Sequence, residues 1–163
     1  MKDKKYEEAC FGAGCFWGVQ SAFDEIKGVI STEVGFMGGN VKLDSGNPYR
    51  AVCSGDTGHA EVVYIKYNSK VVSYQDLLAK FFELHDPTQV NRQGPDVGDQ
   101  YRSAIFYYNA RQKQEAMDFI KKSQNNFKNK IATQVVKAEE FFKAEKYHQK
   151  YLSKQGLGSC HIR

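Results

Sequence analysis

The fold is decided by residues 7–27, EEACFGAGCFWGVQSAFDEIK, where a short apolar run gives way to a helical pattern. Residues 7–13 alternate loosely between polar and apolar side chains, which predicts a β-strand. From Cys15 to Lys27 the apolar residues recur at helical spacing, at Phe16, Val19, Phe23 and Ile26. The segment therefore predicts a strand, a tight turn and a helix that starts at Cys15.

The predicted turn puts Cys15 where the backbone favours a reactive thiol. A residue at a helix start faces unpaired N–H groups and the positive end of the helix dipole, and both favour a thiolate. Phe16 and Trp17, the latter the only tryptophan of the chain, add an apolar wall beside the sulfur. The alternative is a buried, inert cysteine. The flanking Gly14 and Gly18 and the strand-to-helix position favour the reactive thiol.

The rest of the chain predicts an α+β fold. In chain order the next expected elements are a strand over 29–35 that ends in the glycine-rich stretch 35–40, a long irregular loop that continues through Pro48 to Gly58, and a strand over 59–67. They are followed by a helix capped by Ser73 and Asp76, a loop over 86–102, a strand over 103–108, a helix capped by Asn109 that runs to Phe127, a strand over 131–136 and a short helix over 145–153. The order strand, helix, strand, strand, helix, strand is that of the ferredoxin-like split βαβ fold. One helix, one strand and a coiled C-terminal tail extend this core.

Length and charge limit the possible classes of protein. The chain has 163 residues, which predicts a single catalytic domain over residues 1–163 with a tail at 154–163. Its net charge of +4 is too small to indicate a nucleic-acid partner. The N-terminal residues lack the apolar region of a signal peptide, and no apolar run is long enough for a membrane span. We therefore expect a cytoplasmic monomer that binds neither nucleic acid nor membrane.

The chain has four cysteines, which is too few for a disulfide scaffold. In a reducing compartment they serve packing, metal binding or catalysis. Cys10 falls within the first predicted strand, and we interpret both Cys10 and Cys53 as packing residues.

Three separate segments resemble motifs of one enzyme family, in the family's order. Gly-Cys-Phe-Trp-Gly at 14–18 resembles the active-site motif of the peptide methionine sulfoxide reductases of type A. Residues 49–63, YRAVCSGDTGHAEVV, are similar to that family's second motif, and residues 85–105, with Asp-Pro-Thr, Asn-Arg-Gln-Gly and Gln-Tyr-Arg-Ser, to its third. The resemblance implies thiol-dependent reduction of the S epimer of methionine sulfoxide, free or in proteins, with no cofactor beyond an external dithiol.

The resemblance also implies roles for individual residues. Glu61 matches the acid that protonates the sulfoxide oxygen, and burial beside aromatic side chains would keep its carboxyl neutral. Tyr49 and Tyr101 match tyrosines whose hydroxyls hold that oxygen. Asp96 matches a residue that orients the site through hydrogen bonds, although an ordinary turn-forming aspartate remains an equal alternative in Gly-Pro-Asp-Val-Gly. Phe16 and Trp17 would pack against the S-methyl group.

The same resemblance implies that Cys15 attacks the sulfur and is left as a sulfenic acid. Such an acid condenses with a second thiol, and Cys160 is the candidate resolving cysteine because it lies in a glycine-containing tail. Family members with two C-terminal cysteines relay the disulfide further, and this chain lacks the second one. We therefore expect thioredoxin to reduce a Cys15–Cys160 disulfide directly.

Two other classes of protein fit parts of the sequence. Cys15, His59 and Glu61 could form the site of a thiol hydrolase. Alternatively, a metal- or RNA-binding module could use Cys53, His59, Cys160 and His161 or the aromatic strand 106–108, although the cysteine spacing is irregular and the glycine-rich RNA-binding motif is absent. In the reductase interpretation, His59 is a hydrogen-bonding group behind Glu61 or a structural histidine.

Overall fold

The computed structural model describes residues 5–43, 48–55 and 57–154, and its centre is a mixed β-sheet. The strands of the described residues are β1 Glu7–Ala13, β2 Val29–Met37, β3 Ala60–Tyr67, β4 Arg92–Gln93, β5 Asp96–Val97, β6 Ser103–Tyr107, β7 Gln134–Lys137 and β8 Phe142–Lys143. The larger sheet has the order β7-β6-β1-β3-β2-β8, and β4 and β5 form a separate hairpin. The Cys160 tail lies outside the described residues.

The sheet order confirms the ferredoxin-like core. β1 lies between β3 and β6 and is antiparallel to both, while β2 is antiparallel to β3. The inner order β6-β1-β3-β2 is that of a split βαβ unit, in which one hairpin strand inserts between two strands joined by a helix. β7 adds parallel to β6, and β8 adds antiparallel to β2 at the opposite edge. Because β1 and β3 are antiparallel neighbours, the end of β1 lies beside the start of β3.

The helices of the described residues are α1 Phe16–Asp24, α2 Pro48–Cys53, α3 Tyr74–Leu84, α4 Ala110–Ser123 and α5 Tyr151–Lys154. α3 begins with the predicted capping box, in which Ser73 and Asp76 each accept a hydrogen bond from the other's backbone N–H at 3.0 Å. Asn109 caps α4, since its Oδ1 accepts from Gln112 N at 2.8 Å. Both helix starts are thus confirmed where the sequence predicted them.

The sheet has a thick core on one face and a smaller one on the other. The first contains residues from β1, α1, α3 and α4, including Phe11, Phe23, Phe81 and Ala116, together with Val63 of β3. The second contains Cys10, Met37, Val62 and Phe106. The predicted alternation of β3 is confirmed, because Val63 and Val62 lie in different cores. Glu61 therefore projects to the face that α1 covers.

The two loops predicted before β3 and after α3 contain regular structure. The segment 48–58 is not wholly irregular, because residues 48–53 form α2. The segment 86–102 contains the β4–β5 hairpin and a 3₁₀ turn at Asp99–Tyr101. Short elements of this kind have little periodicity of their own, and their conformation depends on tertiary contacts. Both corrections concern segments that carry site residues.

Several predicted boundaries were also wrong. α4 ends at Ser123 and continues as a 3₁₀ turn, and the following strand occupies 134–137, not 131–136. The expected helix over 145–153 is a 3₁₀ turn at Lys146–His148 followed by α5. Lys150 lies between them with φ +57°, a left-handed conformation that interrupts the helix. None of the described helices is long and apolar enough to cross a membrane.

Candidate active site

Cys15 lies at the junction of β1 and α1, as predicted. It is the N-cap residue of α1, and its side chain is half-buried. Gly14 directly before it has φ +91°, a conformation that L side chains rarely adopt, so the sharp turn requires glycine. The thiol therefore stands at the open N-terminus of a helix, within reach of a small reactant.

Glu61 is a buried carboxyl beside this turn. Only 2% of the residue is exposed, and its Oε1 accepts a hydrogen bond from the Phe16 N–H at 3.3 Å. Its Oε2 is buried and has no hydrogen-bond partner among the described residues. Burial raises the pKa of Glu61 to about 8, the Phe16 N–H lowers it and the charge of Asp96 raises it. The group is therefore protonated at neutral pH and can donate from Oε2.

Tyr49 and Tyr101 lie near this carboxyl on separate elements, α2 and the 3₁₀ turn at residues 99–101. Burial and then the charge of Glu61 raise the pKa of both phenols well above the usual range. Both hydroxyls remain hydrogen-bond donors at physiological pH. The backbone of Tyr49 is held in place by the segment after β8, because its N–H donates to Glu145 Oε1 at 3.2 Å.

Asp96 lies in β5 and faces Gln93 across the short hairpin. Its charge raises the pKa of both Glu61 and Tyr101. The hairpin position fits the turn-forming interpretation, and the electrostatic effect fits a site residue. The position of Asp96 in a hairpin and its electrostatic effect on Glu61 and Tyr101 are therefore compatible with each other.

The aromatic residues that follow Cys15 belong to a larger cluster. Phe16 is buried against Phe36 and Tyr49, with ring centroids 5.6 and 6.0 Å apart. Trp17 donates its Nε1–H to Nδ1 of His148 at 3.0 Å and stacks on Tyr151 at 4.0 Å. Neither His148 nor Tyr151 was expected from the sequence, where residues 145–153 showed only a short helical pattern. The position of His148 between Tyr147 and Tyr151 is the sequence feature that could have indicated an aromatic cluster here.

The hydrogen bonds of the His59 ring go to backbone groups. Its Nδ1 accepts from Gly39 N at 3.0 Å and its Nε2 lies 2.6 Å from Val41 O. Nδ1 is thus the acceptor and Nε2 carries the proton. With both ring nitrogens bound to the backbone after β2, His59 is a structural histidine. His59 is therefore not available as the general base that the thiol hydrolase interpretation requires.

The two other described cysteines have different environments. Cys10 is fully buried in the smaller core, and burial raises the pKa of its thiol, so the packing interpretation is confirmed. Cys53 is exposed at the end of α2 and hydrogen-bonds to the side chain of Tyr49. The prediction that Cys53 packs in the core was wrong, because α2 turns it outward.

The metal- and RNA-binding alternatives gain no support. Within residues 5–43, 48–55 and 57–154, no three His, Cys, Asp or Glu side chains are grouped to hold a metal ion. Cys160 and His161 lie outside those ranges. Phe106 of the aromatic strand is fully buried in the smaller core, so it offers no surface on which a base could stack.

Fold and site together define an α+β protein with a thiol at a helix start, next to a residue whose N–H bonds the buried carboxyl of Glu61 and whose ring packs in an aromatic cluster. The family model for peptide methionine sulfoxide reductase matches residues 7–163. The chain is 48% identical over 161 residues to a peptide methionine sulfoxide reductase MsrA of Methanothermobacter thermautotrophicus, covering 97% of this chain and 93% of the relative.

Solved structures agree with the sequence comparisons. Reduced Mxr1 of Saccharomyces cerevisiae matches with a TM-score of 0.90 and 36% identity over 99% of this chain and 92% of that one. Mxr1 solved in complex with Trx2 matches with a TM-score of 0.64 and 25% identity, covering 93% and 89% of the two chains. The chain therefore belongs to the peptide methionine sulfoxide reductase family, and it is an oxidoreductase that reduces methionine sulfoxide with thiols.

Proposed function

We propose that Cys15 attacks the sulfur of methionine S-sulfoxide while Glu61 protonates its oxygen. A sulfoxide sulfur becomes a good electrophile only as its oxygen gains a proton, so the reaction needs an acid near the nucleophile. One observation carries this assignment: the neutral carboxyl of Glu61 accepts a hydrogen bond from Phe16, the residue next to Cys15, and its other oxygen has no partner among the described residues.

The proposed step conserves atoms and electrons. The Cys15 thiolate bonds to the substrate sulfur as Glu61 protonates the oxygen. The hydroxyl then passes to the Cys15 sulfur, and both the S–O bond and the bond between the two sulfurs break, which leaves a sulfenic acid on Cys15. The substrate sulfur gains two electrons and leaves as the thioether of methionine, and the cysteine sulfur loses two. The sulfenic acid keeps the one proton that Glu61 supplies, and the proton that the Cys15 thiol releases on forming the thiolate returns Glu61 to its neutral form.

The remaining site residues bind the substrate in this proposal. The hydroxyls of Tyr49 and Tyr101 donate to the sulfoxide oxygen, which their high pKa values support because both stay protonated. Asp96 orients this polar side of the site by its charge. Phe16 and Trp17 hold the S-methyl group on the apolar side. With hydroxyl donors on one side and aromatic rings on the other, only one epimer would place its oxygen at the donors and its methyl group at the rings.

This proposal predicts epimer selectivity. With dithiothreitol as reductant, the protein is expected to convert N-acetyl methionine S-sulfoxide to the thioether and to leave the R epimer unchanged, because inversion at sulfur exchanges the oxygen and methyl positions. Chiral chromatography of the two separate incubations measures both rates. Equal rates for the two epimers would contradict the proposed pocket.

We further propose that Cys160 resolves the sulfenic acid and that thioredoxin reduces the resulting disulfide. The condensation releases water and forms a Cys15–Cys160 bond, and dithiol exchange then restores both thiols. The structure of the related Mxr1 with Trx2 supports a thioredoxin as the reductant. The burial of Cys10 on the other sheet face also favours Cys160 over Cys10.

A turnover experiment tests this assignment. With thioredoxin and its reductase, Cys160→Ser is expected to release about one methionine per chain and then stop, since a sulfenic acid without a second thiol does not form the disulfide that thioredoxin reduces. Cys53→Ser is the matched control and is expected to turn over repeatedly. Mass spectrometry of the oxidised wild type should show Cys15 linked to Cys160. A Cys15–Cys53 link would overturn the assignment.

We propose in addition that residues 1–163 act as one catalytic domain, as a cytoplasmic monomer without a bound cofactor, nucleic acid or membrane. The six-stranded sheet β7-β6-β1-β3-β2-β8, which contains both the first and the last strand of the described residues, supports the single domain. Dependence on a cellular dithiol supports the reducing compartment.

A further inference from the structure

The indole of Trp17 is held by one distant segment of the chain. His148 accepts its Nε1–H at 3.0 Å, and Tyr151 stacks on it with ring centroids 4.0 Å apart and planes 15° apart. Trp17 itself is in the first turn of α1, two residues after Cys15. The apolar wall beside the thiol therefore takes its orientation from residues 148–151 as well as from α1.

This segment is itself fixed to the sheet and to α1. The side-chain amide of Gln149 bonds both backbone groups of Val34 in β2, accepting at 2.9 Å and donating at 2.8 Å. The backbone N–H of Lys150 donates to Gln20 Oε1 in α1 at 2.7 Å. These bonds to β2 and to α1 hold the backbone directly after His148 in place. The imidazole therefore gives the indole a fixed hydrogen-bond partner.

The imidazole of His148 has one defined protonation state. An indole N–H only donates, so Nδ1 is the acceptor and the proton of the neutral ring is on Nε2. Burial lowers the pKa of His148, although the charge of Glu145 opposes this effect. Its Nε2 is buried and has no hydrogen-bond partner among the described residues.

That unpaired N–H argues against a role in packing alone. His148 is 2% exposed, and its ring lies against Phe16, Tyr49 and Tyr147 at centroid distances of 5.6, 4.2 and 4.1 Å. A phenylalanine would fill the same space without a buried, unsatisfied donor, which is destabilising. The feature that phenylalanine lacks is the acceptor at Nδ1, which Trp17 uses.

We propose that His148 is a positioning residue that fixes the face of Trp17 and thereby sets the preference for an S-methyl over a longer S-alkyl group. The inference rests on the proposed function, in which Phe16 and Trp17 bind the methyl group. One extra methylene on the substrate changes kcat/KM in an apolar pocket by about 10–200-fold. This discrimination requires that the side chains of the pocket keep their positions. The indole of Trp17 meets this requirement, because it is hydrogen-bonded at Nε1 to His148 and stacked on Tyr151.

Two variants separate the acceptor from the bulk of the ring. His148→Phe keeps a ring without an acceptor, and His148→Asn keeps an acceptor near the position of Nδ1 without the ring. The test compares kcat/KM for the S-sulfoxides of N-acetyl methionine and N-acetyl ethionine. We expect His148→Phe to lower the methyl-to-ethyl ratio about tenfold, the order of one lost hydrogen bond to a buried group, and His148→Asn to keep the ratio within about threefold. Tyr147→Phe, which alters the preceding residue, is the matched control and should keep the wild-type ratio.

Fluorescence gives a second readout that does not depend on activity. Because Trp17 is the only tryptophan, its emission reports this indole alone. We expect a shift to shorter wavelength in His148→Phe, which loses the bond to Nε1–H, and wild-type emission in His148→Asn. An unchanged ratio in His148→Phe, or an equal loss in both variants, would overturn the inference. Failure of the wild type to reduce methionine sulfoxide would instead refute the proposed function, and the emission spectra would still test the Trp17–His148 bond.

Discussion

Replacement of Cys15 by serine is expected to abolish reduction of methionine sulfoxide, with a loss of more than about 10³-fold in kcat/KM. The change replaces one sulfur by oxygen at the N-cap of α1 and should leave the helix intact, since serine is a good N-cap residue. A serine hydroxyl is a far weaker nucleophile than a thiol at neutral pH, and it cannot form the sulfenic acid that carries the oxygen away. The measurement is methionine released from N-acetyl methionine S-sulfoxide with dithiothreitol.

The matched control removes a thiol that lies away from the site. Cys10→Ala alters the smaller core on the opposite face of the sheet and is expected to keep the wild-type rate constant per folded molecule. Appreciable methionine production by Cys15→Ser, with circular dichroism like that of the wild type, would show that another group attacks the sulfur.

Replacement of Glu61 by glutamine is expected to lower kcat/KM by about 10²–10⁴-fold, the usual contribution of a general acid. The amide keeps an oxygen that can accept the Phe16 N–H, so the turn at Cys15 should persist. In the wild type, activity should fall as the pH rises through about 8, where Glu61 loses its proton. This alkaline limb should be absent from the pH profile of the variant.

Glu61→Gln is expected to lower the activity but to raise the free energy of unfolding at alkaline pH. Glu61 has a raised pKa in the folded state, so between about 4.5 and about 8 the folded chain holds a proton that the unfolded chain has lost. The free energy of unfolding of the wild type therefore decreases as the pH rises through this window, by on the order of 3 kcal/mol at pH 7. Glutamine does not titrate, so the variant should be the more stable protein at pH 8 and gain much less at pH 4.5.

Denaturant unfolding at the two pH values measures this difference. Glu33→Gln, on the neighbouring strand β2 with its side chain partly exposed, is the control and should change neither activity nor the pH dependence. A Glu61→Gln variant that kept the alkaline limb would show that a different group supplies the proton.

Local sequence patterns predicted the parts of the fold that rest on local physics. The alternation in β3 placed Val63 and Glu61 on the face under α1, since successive side chains of a strand point to opposite faces. The capping pairs at Ser73 and Asn109 marked their helix starts for a similar reason, because a cap involves groups only three residues apart. α2 was missed because so short a helix depends on contacts such as that of Tyr49 with Glu145.

Local patterns in the sequence place a thiol at the start of a helix beside two aromatic residues, and the motifs indicate the family. The groups that surround this thiol depend on tertiary contacts. Burial of Glu61 between β-sheet and helix raises the pKa of its carboxyl to about 8, an effect of the surrounding dielectric that no spacing along the chain records. The hydrogen bond from Trp17 to His148 joins residues 131 positions apart, and folding alone brings them together.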